Sequence, residues 1–379
     1  MPDLSKARDF TSHGNLSSGL YEVRHLRSSS IRHCDMDQNT YMVNVKCMTY
    51  NHASFIEDTL NGFTMQETTF PFVCTIMDDA STDGEQDVIK EYLQEHFDLG
   101  AKSITCNKET TDFVFVFARH KTNHNCFFAL YFLKYNHYGT QELMQRRLRY
   151  ASEWTKKSKY IAICEGDDYW TDPQKLQKQV DFLESHPEYV ICSHDFLEYL
   201  EQQKQFKDKS RQEDFLHKEL KQGASYCDYS LGKYFDHWFT QPLTCLFRNG
   251  DYLQAIPMDR YNSFRDYILY YYILKEGKGA LLQDVMGVYR VNNDGIWSSM
   301  SGIEQLKIVI CDAYNIYSVE GDGRALNKMD NCEKEVVYRY YLSKDYRHIL
   351  KELREYRKMV PLKHFFSFVL SVLKKIHHN

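Results

Sequence analysis

The sequence predicts an α/β chain: a mostly parallel sheet flanked by helices, followed by a helical C-terminal extension. Three observations predict it. An apolar run, a polar loop and a stretch with apolar residues at helical spacing follow one another near the start of the patterned region. The same order returns twice downstream, which is how parallel strands joined by crossover helices are written in sequence. The last eighty or so residues read as helical throughout.

In order, "VNVKCMT" from Val43 is a buried strand, "YNHAS" a turn, and residues 54–66 a helix carrying Ile56, Leu60 and Phe63. "FPFVCTIM" is the second strand and "DDASTDG" its loop, with Val88, Ile89, Tyr92 and Leu93 on the inner face of a helix near 85–97. Residues 101–158 contain one strand, "DFVFVFA", and otherwise mix aromatics with turn formers, which leaves their detail open. The third unit is "KYIAIC", the loop "EGDDYWTD", and a helix that Asp172 caps and Pro173 opens, with Leu176, Val180 and Leu183 as its buried stripe. "YVICSH" is the next strand.

Residues 199–224 are a charged insertion, expected to be a solvated helical or mobile segment. "PLTCLFR" is apolar, "SFRDYILYYYILKEG" a helix and "ALLQDVMGVYRV" strand material. Residues 1–40 are polar and Ser-rich and read as a loosely ordered leader without the apolar core of a secretory signal. The expected division is therefore a leader over 1–40, a domain over 41–300 and an extension over 301–379. Within the domain a ligand-binding half runs to about 195, and a second half spans about 225–300. "PLKHFFSFVLSVLKKIHHN" at the C-terminus is shorter than the ~20 apolar residues of a spanning helix. Two readings of its helix over 361–377 stand side by side, a closing helix docked on the protein and a helix lying in a membrane interface.

With 379 residues the chain is long enough for a substantial core. A net charge of -5 offers no broad basic field, so nucleic acid is not an expected partner. The eleven cysteines include no C-x-x-C pair and no zinc-finger spacing, and several sit inside apolar runs. A reducing, cytoplasmic setting is expected.

Ligands of open α/β sheets bind beyond the carboxyl ends of the strands. Three such ends carry polar clusters: Thr49, Tyr50 and Asn51; Asp78 and Asp79; and Glu165, Asp167 and Asp168. Carboxylates converging on one crevice make a strongly negative site, which suits a hard divalent cation, magnesium or manganese, that shares its shell with substrate phosphates. Asp78 and Asp79 alone are equally readable as helix-capping residues.

The segments "MTYNHASFIEDTL", "MDDASTDG" and "YIAICEGDDYWTDPQKLQKQVDFL" resemble, in order and spacing, the family 2 glycosyltransferases of GT-A fold, a Rossmann-like α/β architecture. The resemblance covers about residues 42–300 and is nearest to bacterial members that build surface polysaccharides and carry the same "EGDDYW" signature. It implies that Tyr50 stacks on the base of a uridine-type donor and that Asp79 accepts from that base. Asp168 is implied as the direct metal ligand, Asp167 as the carboxylate nearer the donor sugar, and Glu165 as the occupant of a place where many relatives have aspartate. Asp266 aligns with the general base.

"GKGALLQDVMGVYRVNNDGIWS" matches a further family segment, so Arg290 and Trp297 are implied near the donor, with Asn292 standing where relatives often have histidine. Arg146 and Arg147 are candidates for gripping phosphate, or for a solvated basic helix face. Trp238 and Gln241 lie where the family lines its acceptor pocket, although core packing explains Trp238 nearly as well. Asp266 alone reads equally as an ordinary first-turn acid bonded to Arg265 or backbone amides.

The resemblance thus implies an inverting, metal-dependent hexosyltransferase that moves a sugar from a nucleotide diphosphate donor, a UDP-sugar, to a glycan or lipid-linked acceptor in capsule or lipopolysaccharide synthesis at the cytoplasmic face of a membrane. A catalytically degenerate nucleotide-sugar or glycan binding module is the alternative suggested by Asn292. A sugar nucleotidyltransferase fits less well, because "MTYNHAS" lacks the glycines that hold a triphosphate.

Overall fold

The computed structural model describes residues 41–100, 103–261, 263–292, 295 and 297–378, so the expected leader over 1–40 lies outside the described residues. The chain begins with β1 (Tyr41–Thr49), α1 (Ile56–Thr64), β2 (Phe72–Asp78) and α2 (Glu85–His96). It continues through β3 (Phe97–Asp98), β4 (Cys106–Glu109), β5 (Phe113–His120), β6 (Cys126–Leu133), α3 (Gln141–Tyr150) and α4 (Ser152–Lys156). Then come β7 (Ser158–Ile163), β8 (Tyr169–Trp170), α5 (Lys175–Ser185), β9 (Tyr189–Leu200), β10 (Gln205–Phe206), α6 (Glu213–Glu219), β11 (Tyr226–Tyr229) and α7 (Leu231–Asp236). β12 (Leu246–Arg248), α8 (Asp266–Lys275) and β13 (Lys278–Val291) complete the sheet region, and α9 (Gly302–Glu320), α10 (Gly323–Leu342), α11 (Tyr346–Met359) and α12 (Leu362–His378) form the extension.

One sheet runs β11-β13-β9-β12-β7-β1-β2-β6-β5-β3. Its middle, β7-β1-β2-β6, is parallel, as the strand-loop-helix pattern requires. Every residue of β2 is buried, the signature of a strand covered on both faces. On one face α1, α2 and α5 bury Ile56, Leu60, Phe63, Ile89, Leu93, Leu176, Val180 and Leu183 against Val43, Val45 and Cys74. On the other, α7 and α8 bury Tyr234, Phe235, Ile268 and Tyr270 against Ile161, Ile191 and Phe247. Helices on both faces confirm the expected α/β class with a helical C-terminal region.

The flanks are less regular. β5 is antiparallel to β6 and β12 to both of its neighbours, so the outer sheet departs from parallel pairing. The unread stretch after residue 103 holds the β4–β5–β6 meander, in which the apolar run "CFFALYFL" is β6. The charged insertion is ordered: the end of β9 pairs with β10, and α6 follows. Asp172 accepts from Gln174 N at 2.8 Å in the turn before the helix, but regular helix starts later than expected, at Lys175, with Gln174 and not Asp172 at its N-cap.

The extension closes on its own core, where Met329, Val336 and Val337 of α10 meet Ile310 of α9, Tyr356 of α11 and Phe368 of α12. Ser301 and Glu304 form a reciprocal capping box at the start of α9. Glu333 of α10 is buried in this bundle with its Oε1 unpartnered among the described residues. Burial, then the charge of Glu352, pushes its carboxyl up to about 7. The folded chain therefore holds a proton there that the unfolded chain releases near pH 4.5, and stability falls as pH rises from there through about 7. Glu333→Gln is expected to gain about 1–3 kcal/mol at pH 8 and close to nothing at about pH 3.5, below the unfolded pKa. Thermal melts at the two pH values check this, and an equal shift at both contradicts it.

Candidate active site

β7, β1 and β2 are adjacent and parallel, so the loops leaving Ile163, Thr49 and Asp78 open on one edge of the sheet. The loops leaving Thr49 and Asp78 are tied together by Glu85, the first residue of α2, which is wholly buried. Its carboxylate accepts from Thr49 Oγ1, from His52 N at 2.9 Å and from Ser81 Oγ at 2.8 Å. Burial raises its pKa above the usual carboxylate range. Asn51 completes the latch: its N–H donates to Ser81 Oγ and its Oδ1 accepts from Thr82 N at 2.8 Å. The left-handed backbone of Asn51, at φ 58°, is one that Asn tolerates better than most residues. Thr49 and Asn51 thus shape the loops, while Tyr50 between them is 44% exposed at the rim.

Asp78 and Asp79 are both buried. Asp78 Oδ1 accepts from Ser81 N and Gln86 Nε2, and its Oδ2 has no partner among the described residues. Asp79 accepts from His137 N at 2.7 Å and from Arg147 Nη1 at 3.1 Å. Neither Asp78 nor Asp79 caps α2, whose N-cap is Gly84 in the left-handed region; Asp83 Oδ1 accepts from Glu85 N in the turn before it. Arg147 is therefore held by Asp79, with its positive charge lowering the pKa of Glu165. Arg146 points elsewhere, to Glu142 at 3.0 Å and Tyr135 Oη at 3.3 Å.

The acidic loop is clamped from below. A Cβ on Gly166 would lie 2.1 Å from Thr49 Oγ1, so only glycine lets the loop pass this close to β1. Gly166 N donates to Met48 O, and Thr59 Oγ1 of α1 donates to Gly166 O and, at 2.7 Å, to Asp168 O. From the other side comes Arg290, near the end of β13. Its N–H donates to Asp168 Oδ1 at 2.9 Å and its Nε to Asp167 O at 3.0 Å. Its remaining nitrogens pair with Asp58 at 2.6 Å and Glu201 at 3.1 Å, and the guanidinium lies over Phe55 and Tyr169. As placed, Arg290 is buried and committed to the protein, so the substrate contact expected of it is taken up by this clamp. Trp170, the last residue of the quoted motif, is core: its Nε1 donates to Leu243 O and it packs edge-on against Phe63.

Asp167 Oδ2 accepts from Asn292 Nδ2 at 3.1 Å and lies 3.9 Å from His52 Nε2. His52 was invisible as a site residue in the sequence, where it reads as part of a turn. Trp297 is 44% exposed, and its carbonyl accepts from Gln305 of α9.

Asp266 is the first residue of α8 and accepts from Tyr267 N at 2.8 Å. Arg265 turns away to Asp312 of α9, at 2.8 Å, so of the two partners an ordinary first-turn acid would take, Asp266 has the backbone amide and not Arg265. Trp238 stacks in parallel on Tyr267, and its Nε1 donates to Gln241 Oε1 at 3.1 Å. Trp238, Gln241 and Asp266 are all half-buried.

Charge unites the two sides. Glu165 opens to the crevice yet is surrounded by protein; this desolvation, then the charges of Asp167 and Asp266, pushes its carboxyl up to about 8. Burial, then Asp167, holds Asp168 well above the carboxylate range, and burial raises Asp266. The donor set fits a hard divalent cation of the kind that takes one or two carboxylates and completes its shell with water and phosphate. Among the described residues no group of three His, Cys, Asp or Glu is arranged to hold a metal ion.

No family model matches the chain. Curated relatives in Mycobacterium bovis and Mycobacterium tuberculosis, each named an uncharacterized protein, are 28% identical over 257 residues, 68% of this chain. The match spans 61% of the length of those relatives. Among solved structures, S. aureus TarS 1-349 in complex with UDP-GlcNAc is 15% identical, covers 84% of this chain and 82% of its own, and superposes with a TM-score of 0.51. This likeness establishes a shared fold.

Gly166→Ala drives a methyl into Thr49, which Glu85 pins in place. A loss of about 1–3 kcal/mol is expected, read as a lower urea midpoint, whereas an unchanged midpoint contradicts the close approach.

Proposed function

We propose that the chain is an inverting, metal-dependent glycosyltransferase of family 2 type, transferring a sugar from a UDP-sugar to a glycan or lipid-linked acceptor in bacterial surface polysaccharide synthesis. The observation that carries this reading is the opening of three polar loops, with Asp78, Asp79, Glu165, Asp167 and Asp168 among them, at the same edge of adjacent parallel strands β7, β1 and β2. The TarS structure, which shares the fold, was solved with UDP-GlcNAc, and this supports a nucleotide-sugar donor.

In this reading Tyr50 offers its exposed ring to the base, and Asp79, with Arg147 beside it, bounds the nucleotide end. Asp168 and Asp167, with Glu165 in reserve, would hold the divalent cation, which when bound offsets the charge of the diphosphate leaving group. Trp238 and Gln241 line the acceptor side, giving an aromatic face and a hydrogen-bonding edge.

The acceptor hydroxyl attacks the anomeric carbon from the side opposite the diphosphate. The new C–O bond forms as the bond to the diphosphate oxygen breaks, and the hydroxyl proton passes to the Asp266 carboxylate. One displacement inverts the anomeric centre. Burial raises the Asp266 pKa, which makes its carboxylate a better proton acceptor than a free aspartate.

UDP release from a panel of UDP-sugars with manganese tests the proposal. Asp266→Asn is expected to keep donor affinity within about twofold and lose ~10²–10⁴ in turnover, and full turnover in that variant places the base elsewhere. Asp168→Asn is expected to abolish manganese-dependent UDP binding, so unchanged affinity removes Asp168 from the cation. Binding without turnover by the unaltered chain would instead favour a binding module, which the Asn292 contact to Asp167 makes the second reading.

A further inference from the structure

The two readings of the C-terminal helix are not exclusive, because α12 has two apolar faces. Its inner face packs on the bundle: Phe368 and Val372 are buried, Phe368 sits 4.2 Å from Tyr356, and His364 and Lys375 pair with Asp330 and Glu335 of α10. Its outer face carries Leu362, Phe366, Leu370 and Leu373, at 51%, 59%, 62% and 56% exposure. Spacings of four, four and three residues align these side chains in one stripe along the helix. Large apolar groups so aligned and open to water mark a contact surface, whereas single exposed ones do not.

The charge around the stripe says what kind of surface it meets. The whole chain carries a net charge of -5, yet from Tyr346 to the C-terminus eight lysines and arginines face two glutamates. Those two glutamates are already paired, Glu352 with Lys307 and Glu355 with Lys358. Arg347, Lys351, Arg354, Lys363 and Lys374 are exposed and make no ion pair among the described residues. Lys363 and Lys374 fall along one border of the stripe at helical spacing. On α11 the exposed Tyr346 and Leu350 share the solvent face with Arg354. No described helix is long and apolar enough to cross a membrane.

We propose that the outer face of α12, bordered by these basic residues, docks in the plane of an anionic lipid surface, the stripe entering the headgroup–acyl boundary and the lysines meeting the lipid charge. A helix held to the bundle by its inner face, with an apolar outer face and unneutralised basic borders, matches an anionic bilayer in both polarity and sign. A second protein copy, carrying the same positive border, would be repelled by it. The inference does not depend on the sugar chemistry.

The test is co-sedimentation of the full chain with vesicles of phosphatidylcholine alone and of phosphatidylcholine containing about one third phosphatidylglycerol. The chain is expected to bind the second and not the first, and to be released by raised salt. Phe366→Ser/Leu370→Ser/Leu373→Ser is expected to weaken binding about tenfold or more with an unchanged thermal midpoint, since these side chains leave the bundle core untouched. Lys363→Glu/Lys374→Glu is expected to weaken it again without altering the fold. Absence of binding, equal binding by the triple variant, or a dimer that the triple variant dissolves would overturn the proposal.

Discussion

Mutual repulsion among carboxylates is the constraint around which the strand ends are organised. Glu165, Asp167 and Asp168 fall within four residues, two of them with pKa values raised by burial and by one another. Charge so concentrated would push the loop open in water. It stays folded because it is bonded from three directions: Thr59 of α1 donates to Gly166 O and Asp168 O, Met48 O of β1 accepts from Gly166 N, and Arg290 of β13 donates to Asp168 Oδ1 and Asp167 O.

The clamp also explains why the site is negative yet incomplete. Arg290 pairs its charge with Asp58 and Glu201 and gives the loop one bond from its N–H to Asp168 Oδ1 and one from Nε to Asp167 O, so it steadies the carboxylates while burial still holds Asp168 well above the carboxylate range. The remaining negative potential faces the crevice, where a cation and its phosphates can meet it. Stability given up at this loop is the condition for binding there, a common arrangement at functional sites. The side with Trp238 and Tyr267 is aromatic, with Asp266 beside them.

Much of the central fold was legible because its signals are local. The runs at 43–49, 72–78 and 158–163 are short and rich in apolar residues, each helix after them is amphipathic, and the acidic residues fall where such strands end. Of the β4–β6 meander only β5, in "DFVFVFA", was legible, since antiparallel pairing of aromatic runs depends on partners that spacing does not reveal. Within the site, the candidate carboxylates could be named, but their supports could not. Glu85 looks like any first-turn acid, and Arg290 reaches Asp58 across 232 positions of chain. His52 sits in a turn-forming stretch, and only the folded loop aims it at Asp167.

The central claim is that this crevice receives a nucleotide sugar through a divalent cation. Titration calorimetry of the unaltered chain with UDP-, GDP- and dTDP-sugars, each with and without manganese, tests it most directly. The account predicts binding of a UDP-sugar that appears with manganese and vanishes without it. Failure of every donor to bind in either condition would contradict it.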